Sequence, residues 1–381
     1  LLISQMMALD HIVHFGHQQV FANATTYTCL LFLAKEGRDS LSFASVDDLR
    51  AWTTDGSASL AMVPADAISA DAWAFSARTT NDLFARLGAY PNTLANVADV
   101  FVGTQTSADD VFVLRDCEDV GEVVRGYSEA LGEVVEVERE ITVPFLRGRD
   151  IRRYNPLLST RRLICPYAIM DEASALMTED QLAQRFHRAH QYLLSNRRRL
   201  ALREKGKFSG LGWHGFAYPK SMHLFQRPKI VVPDYNDVAS YTWDEGGHFY
   251  KTGYGVLLRD PHLSPLYVLG LLNSTLLFEY LRSFTTKLQG GYVRFWTQYI
   301  SRLPIRPIDF SDPADVARHD RMVALVQTML DLHRRLPDAA NPKTRDSLQR
   351  RIADTDREID RLVYELYDLT ADEIAIVEGR G

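Results

Sequence analysis

One set of side chains has the chemistry of a nucleic-acid contact, because its members are cations, amides, hydroxyls or an aromatic ring in short polar segments. They are Thr104, Gln105, Thr106, Arg147, Arg149, Arg152, Arg153, Lys220, Lys229, Lys251, Lys287, Gln289, Tyr292 and Arg294. Lys and Arg position phosphates without reading the sequence. Gln and Arg can also form paired hydrogen bonds to the edges of adenine and guanine, respectively. We therefore predict a DNA-binding surface.

The segment 285–294 shows how such a surface could work. Gly290 and Gly291 lack side chains, so the backbone can lie close to a phosphate while Gln289 and Arg294 reach base edges. Tyr292 could stack on a base that has been flipped out of the duplex. A buried helix followed by an ordinary polar loop has the same composition. Each residue alone fits either interpretation, and the grouping is what favours DNA contact.

The charge of the chain is unevenly distributed. The net charge is −6 over 381 residues, yet residues 141–230 carry 17 Lys and Arg against 6 Asp and Glu. Residues 1–140 carry 8 against 21. A solvated surface would also explain a basic block. This one adjoins the loop at 285–294, and the local field decides binding more than the net charge does.

The elements that must position these residues follow from periodicity and turn residues. Apolar and Thr-rich runs predict strands at 11–15 and 25–33, and a buried strand is predicted at 229–233. Two strands are predicted around the loop at 103–106, as in a β-hairpin. Helices are predicted over 180–205, which is basic, and over 266–284, which is apolar. Asp312 and Pro313 begin an antiparallel helical hairpin that continues beyond 342.

The order of features over 254–305 resembles that of a known family. An apolar strand, a long apolar helix, the Gly-Gly loop and Leu303-Pro304-Ile305 follow one another. This arrangement resembles the C-terminal specificity domain of adenine-specific DNA methyltransferases of the TaqI type, which also occurs in fused restriction–modification enzymes. The segment VPFLRGRDIRRY at 143–154 and the ending VYELYDLTADEIAIVE are similar to the same family. Val20-Phe21 and the segment 24–28 resemble the last strands of its catalytic domain.

The resemblance implies an α+β fold with four parts. Residues 1–45 would be the C-terminal strands of an α/β methyltransferase domain, and 46–89 a linker. Residues 90–310 would form a mixed-sheet target recognition domain with inserted helices, and 311–381 a supporting helical hairpin. The expected partners are double-stranded DNA and an upstream methyltransferase domain or subunit. S-adenosylmethionine would be the cofactor of the parent enzyme, which would serve DNA methylation and defence.

The chain itself lacks recognisable catalytic motifs. The nearest match to an Asn-Pro-Pro-aromatic loop, which would hold a flipped adenine, is Asn155-Pro156-Leu157-Leu158. The Gly-x-Gly-x-x-Gly match at 210–215 follows a predicted helix rather than a strand, so it does not predict a nucleotide site. Glu-x-Lys and Gly-x-Ser-x-Gly patterns are absent. We predict no catalytic, cofactor-binding or metal-binding residue in this chain.

Two interpretations of the function stay open. The first is the DNA recognition part of an adenine-N6 methyltransferase or restriction–modification enzyme. The second is a stand-alone specificity or adaptor subunit that recruits separate catalytic chains through its helical hairpin. A docking hairpin should leave an apolar stripe uncovered, whereas a fused support should bury it. Three widely spaced cysteines and the lack of a long apolar run predict a cytoplasmic protein without a membrane span.

Overall fold

The computed structural model describes residues 8–16, 18–22, 28–46, 48–65, 78–286 and 288–379, with the backbone alone at 78–81 and 289. The chain is a mixed α and β protein with several sheets, as the sequence predicts. None of the helices in the described residues combines the length and the apolar character that a membrane span requires.

The strands are, in chain order, β1 Leu9–His14, β2 Cys29–Leu33, β3 Ser40–Ser45, β4 Ser59–Pro64, β5 Ala98–Val102, β6 Val113–Val120, β7 Val123–Ser128, β8 Glu133–Glu138, β9 Thr142–Leu146, β10 Arg162–Ile164, β11 Tyr167–Ile169, β12 Ser174–Leu176, β13 Lys229–Pro233, β14 Tyr235–Asn236, β15 Thr242–Asp244, β16 Phe249–Tyr250, β17 Gly253–Leu258 and β18 Val293–Arg294. The α-helices are α1 Leu49–Asp55, α2 Arg78–Gly88, α3 Leu94–Val97, α4 Asp109–Phe112, α5 Glu179–Arg185, α6 His187–Ser195, α7 Arg197–Ala201, α8 Arg203–Gly206, α9 Pro265–Asn273, α10 Thr275–Phe284, α11 Thr297–Ile300, α12 Pro313–Arg335, α13 Pro342–Leu366 and α14 Ala371–Val377.

The N-terminal sheet has the order β2-β1-β3-β4. Strand β1 pairs antiparallel with β2 and parallel with β3, and β3 pairs antiparallel with β4. The predicted strands at 11–15 and 25–33 correspond to β1 and β2, although residues 23–27 lie outside the described part. The segment 46–89, predicted as a linker, contains α1, β4 and α2. The domain boundaries themselves stay a prediction.

Two larger sheets build the middle of the chain. One has the order β16-β9-β10-β6-β7-β8, and the other has the order β15-β13-β17-β5. Strands β5 and β6 therefore lie in different sheets, and the prediction that they flank the loop at 103–106 as a hairpin is wrong. Ser107, with a positive φ of 55°, and the helix α4 lie between the two strands, and β5 pairs with β17 while β6 pairs with β7 and β10.

Two predicted helices are interrupted in the structure. The apolar run 266–284 forms α9 and α10, because Ser274 has extended backbone angles and its side chain accepts a hydrogen bond from the Leu277 amide. The basic run 180–205 forms the four short helices α5 to α8, and Glu204 and Lys205 have left-handed backbone angles. Sequence periodicity identifies the apolar faces but not these breaks, which depend on local capping.

The helical hairpin at the C-terminus forms as predicted. Asp312 caps α12 by accepting a hydrogen bond from the Ala314 amide, and Pro313 occupies the first turn. Helix α12 packs against α13 and also against α9. Met322, Val326 and Ile359 belong to the same hydrophobic core as the apolar helices α9 and α10. The hairpin therefore buries its apolar stripe.

Candidate nucleic-acid interface

A cleft of about 950 Å³ separates two loops of the middle region. One wall follows β9 and contains Arg147, Arg149, Arg152 and Arg153. The other wall follows the buried strand β13 and spans 233–240, with Tyr292 beside it. The antiparallel pairing of β14 with β18 brings the second wall and the Gly-Gly loop together. The fold thus collects residues that are more than a hundred positions apart.

The arginine wall combines braced and exposed side chains. Arg147 donates to Asp150 from Nε at 3.0 Å and from Nη2 at 2.7 Å. Burial opposes ionisation of the Asp150 carboxyl, but the hydrogen bonds from Arg147 outweigh it and keep the pKa of that carboxyl below its usual value. Arg149 and Arg152 are exposed. These two are the exposed arginines of this wall that have no ion pair in the described residues, and the Arg152 Nε donates to the Arg149 carbonyl at 3.3 Å.

Arg153 faces both the cleft and the helical hairpin. Its Nη1 donates to Asp356 on α13 at 2.7 Å, and its Nη2 donates to the carbonyl of Asn273 at 2.6 Å. Its side chain is 28% exposed. The same hairpin also contacts the start of α10 through Asp360, which accepts hydrogen bonds from the amide and the hydroxyl of Thr275. Arg153 therefore connects the wall of the cleft to its helical support.

Asp234 organises the opposite wall. Its carboxylate accepts hydrogen bonds from the Tyr254 hydroxyl at 3.0 Å, from the Trp296 indole at 2.9 Å and from the Arg294 guanidinium. Burial, followed by the charge of Asp234, raises the pKa of Tyr254 above its ordinary value, so this hydroxyl stays a donor. The Arg294 guanidinium lies over the rings of Tyr235, at 5.6 Å, and Trp296, at 5.0 Å.

A second group of predicted residues lies next to the cleft. The backbones of Gln105 and Tyr218 form a bridge, and the Thr104 amide donates to the Tyr250 carbonyl at 3.0 Å. Lys251 is the residue after Tyr250, and its Nζ lies 2.6 Å from the Asp109 carboxylate. Thr252, the next residue, already lines the cleft. Gln105 and Lys251 are exposed and lie near the Thr252 side of the cleft along the backbone, and the exposed Lys220 follows two residues after Tyr218.

Three of the predicted contacts are buried and must be corrected. The side chain of Lys229 is fully buried. Its Nζ donates to Asp244 at 2.5 Å and to the Phe225 carbonyl at 2.7 Å. Burial lowers the pKa of Lys229, and the Asp244 carboxylate opposes that shift. Thr104 and Thr106 are each 1% exposed. In this structure these side chains hold the framework and cannot touch a phosphate.

The reason for each correction is local. Lys229 opens β13, a central strand that is buried along its whole length. The Thr104 hydroxyl donates to the Tyr218 carbonyl at 3.3 Å, and the Thr106 hydroxyl donates to Asp109 at 2.5 Å. Lys287 lies outside the described residues, as does the side chain of Gln289. Whether these two contact DNA stays a prediction.

Sequence reasoning missed several residues of the second wall. Tyr235, Asn236 and Asp237 line the cleft, and Trp296 braces it. A polar run directly after a buried strand was the available signal, because binding residues concentrate on loops carried by a rigid scaffold. Among the described residues, no group of three or more His, Cys, Asp or Glu side chains is arranged to hold a metal ion.

The comparison with known families adds the decisive observation. Residues 143–305 match the family described as the TaqI-like C-terminal specificity domain. This region is similar to a TaqI-like specificity domain. Both walls of the cleft and Lys220 lie within it, whereas Gln105 precedes it. The recognition suggested by the sequence is confirmed for this part of the chain.

Similar proteins cover almost the whole chain. The type II restriction enzyme and methyltransferase RM.Eco57I of Escherichia coli is 24% identical in an alignment 390 positions long that covers 96% of this chain and 38% of that protein. The type II methyltransferase M.PaeR7I of Pseudomonas aeruginosa is 25% identical, again over 96% of this chain, and over 56% of that protein. The chain therefore spans roughly two fifths to just over half of the length of these relatives.

A solved structure shares the fold. The type IIL restriction–modification enzyme MmeI, determined in complex with DNA, aligns over 98% of this chain and 45% of its own, with a TM-score of 0.58 and 11% sequence identity. At this identity the likeness concerns the arrangement of helices and strands. It places the specificity domain and its flanking elements in a common architecture.

Proposed function

We propose that this chain supplies sequence-specific DNA recognition to an adenine-N6 DNA methyltransferase or to a restriction–modification enzyme. The observation that carries the proposal is the cleft, because its arginine wall and its aromatic wall both fall within the specificity domain. Arg149, Arg152 and Lys220 would contact phosphates of double-stranded DNA. Gln105, Gln289 and Arg294 would contact base edges, and Tyr292 a base exposed by flipping.

The proposal divides the reaction between this chain and an upstream domain. That domain would bind S-adenosylmethionine and methylate an extruded adenine in the cytoplasm. This chain would grip the duplex and select the sequence. The curated relatives named above support the division, since both are methyltransferases and both are considerably longer than this chain.

The exposed apolar residues of the N-terminal sheet are evidence for an interface with such a domain. The register places Leu30 of β2 and Leu60 of β4 on one face, together with the buried Val13 and Ala44 of the strands between them. Phe32 and Met62 lie on the same face, one pair further along. Leu60 is 74% exposed and the other three are also exposed. We propose that this sheet is the end of a methyltransferase fold that covers this face.

The alternative is a stand-alone specificity or adaptor subunit that recruits catalytic chains through the helical hairpin. The burial of Met322, Val326 and Ile359 in the main core favours a fused support, because those side chains are not available to a partner. An adaptor would have to use another surface of the hairpin.

Salt-dependent binding to a mixed-sequence duplex tests the DNA-binding role. Each phosphate contact adds about 0.9 to the slope of log affinity against log salt. The double variant Arg149→Ala and Arg152→Ala should therefore make the slope of log affinity against log salt shallower by about 1.8. The matched control is Arg321→Ala, since Arg321 is exposed on α12 and does not line the cleft. Equal slopes for all three proteins, or no binding at low salt, would refute this role.

A further inference from the structure

The cleft has opposite electrical character on its two walls. One wall carries four arginines, of which Arg149 and Arg152 are exposed. The other carries the exposed Asp237, together with Asp234, whose carboxylate is paired with Arg294. A phosphate is attracted to the first wall and repelled by the second. A neutral, planar group therefore suits the second wall better than a phosphate does.

Two tyrosines form the rim of the second wall. Tyr235 is 52% exposed and Tyr292 is 37% exposed, and their rings meet edge to face at 5.9 Å. Gly290 and Gly291, with φ of 79° and 81°, allow the tight turn that returns the chain and presents Tyr292. Exposed aromatic rings that border a cationic wall are the usual elements of a surface that stacks bases.

A row of planar groups supports these tyrosines from behind. Tyr235 lies opposite Arg294 in the β14–β18 ladder, and the Arg294 guanidinium lies between the Tyr235 and Trp296 rings. Trp296 in turn stacks on Tyr299 at 6.0 Å with an interplanar angle of 8°. Asp234 binds Arg294 and Trp296 at their polar edges. The Arg294 guanidinium thereby contacts the Tyr235 ring and restrains its orientation.

We propose that Tyr235 and Tyr292 form a stacking site for an unpaired nucleobase of the bound DNA. In this arrangement Arg149 and Arg152 hold the phosphates of the same strand. Arg294 then acts as a positioning residue that fixes Tyr235, in place of the base-reading role considered for it above. The inference rests on the proposed DNA-binding function. It adds that the arginine wall binds the phosphates and that the tyrosine wall binds the base.

The experiment compares the affinity for a fully paired duplex with that for the same duplex carrying one bulged base. Stacking of a single base on an aromatic ring changes affinity by about tenfold or more. The unchanged chain should therefore prefer the bulged duplex by about tenfold. Tyr235→Leu keeps the apolar bulk but removes the ring, so the ratio of the affinity for the bulged duplex to that for the paired duplex should fall toward one. Tyr235→Phe keeps the ring and should retain the preference.

The control is Phe310→Ala, because Phe310 is an exposed aromatic residue that does not line the cleft. It should keep the preference for the bulged duplex. The thermal midpoint of each variant verifies that it is folded. Binding of both duplexes with equal affinity by the unchanged chain, or a preference that survives Tyr235→Leu, would overturn this inference alone. Failure to bind either duplex would overturn the proposed function and this inference together.

Discussion

The ion pair between Arg153 and Asp356 offers a direct test of how the helical hairpin influences DNA binding. Arg153 lines the cleft, yet both of its terminal nitrogens are engaged by Asp356 and by the Asn273 carbonyl. Asp356→Asn removes the negative charge and keeps the shape of the side chain. The guanidinium would then carry an uncompensated charge at the wall of the cleft, where a phosphate can replace the lost carboxylate.

Two opposite effects are expected from this substitution. The pair is partly exposed on both sides, at 28% each, so its loss should destabilise the fold by about 1–2 kcal/mol. At the same time, one additional phosphate contact should steepen the plot of log affinity against log salt by about 0.9. A variant that is less stable but binds non-specific DNA more tightly at low salt is not expected from structural damage alone.

The assay is fluorescence anisotropy of a mixed-sequence duplex over a series of salt concentrations, with denaturant unfolding measured in parallel. The matched control is Asp354→Asn, which makes the same charge change on the same helix. Asp354 is exposed and pairs with Arg357, away from the lining of the cleft. The double variant Arg153→Ala and Asp356→Asn should have the same slope of log affinity against log salt as Arg153→Ala alone. If Asp356→Asn and Asp354→Asn give equal slopes, the hairpin does not restrain Arg153 and the reasoning fails.

Other substitutions test separate parts of the structure. Lys229→Ala removes the lysine that pairs with the buried Asp244 carboxylate and leaves His248 as its side-chain partner, so it should cost about 3–5 kcal/mol in denaturant unfolding; a loss below 1 kcal/mol would contradict the buried pair. The pKa of Asp315 is held below its ordinary value, chiefly by the hydrogen bond from Arg306. The folded state therefore binds fewer protons at this site than the unfolded state, and the stability that this carboxylate contributes is present above about pH 4 and lost as the pH falls further. Asp315→Asn should flatten the acid side of the stability profile, and an unchanged profile would argue against this assignment. The purified chain should transfer no methyl group from labelled S-adenosylmethionine to mixed DNA, and reproducible incorporation would show that it contains a catalytic site.

The sequence predicted the types of the elements better than their connections. The apolar patterns located β13, β17 and the two helices of the C-terminal hairpin, because each of them buries a continuous apolar face. The same patterns did not reveal that β5 and β6 enter different sheets. Strand pairing depends on contacts between distant segments, and a single sequence without homologues carries little information about them.

The second wall of the cleft shows the same limit at the level of single residues. Tyr235 and Trp296 are separated by sixty positions, and they become neighbours of one guanidinium only when β14 pairs with β18. The sequence indicated that Arg294 and Tyr292 lie in a polar loop. It could not indicate that Asp234 binds Arg294, which changes the expected role of that arginine from reading a base to holding a ring.

The same consideration changes how the basic block 141–230 is understood. Counting charges predicts a strong positive field, but the acidic residues that neutralise it come from other parts of the chain. Arg162 pairs with Asp119, Arg188 with Glu136 and Arg199 with Asp110, all from the acidic N-terminal third. In the described part of the chain, Arg149 and Lys220 have no ion pair. The salt dependence of DNA binding should therefore follow the unpaired cations at the cleft rather than the net charge of +11 of the whole block.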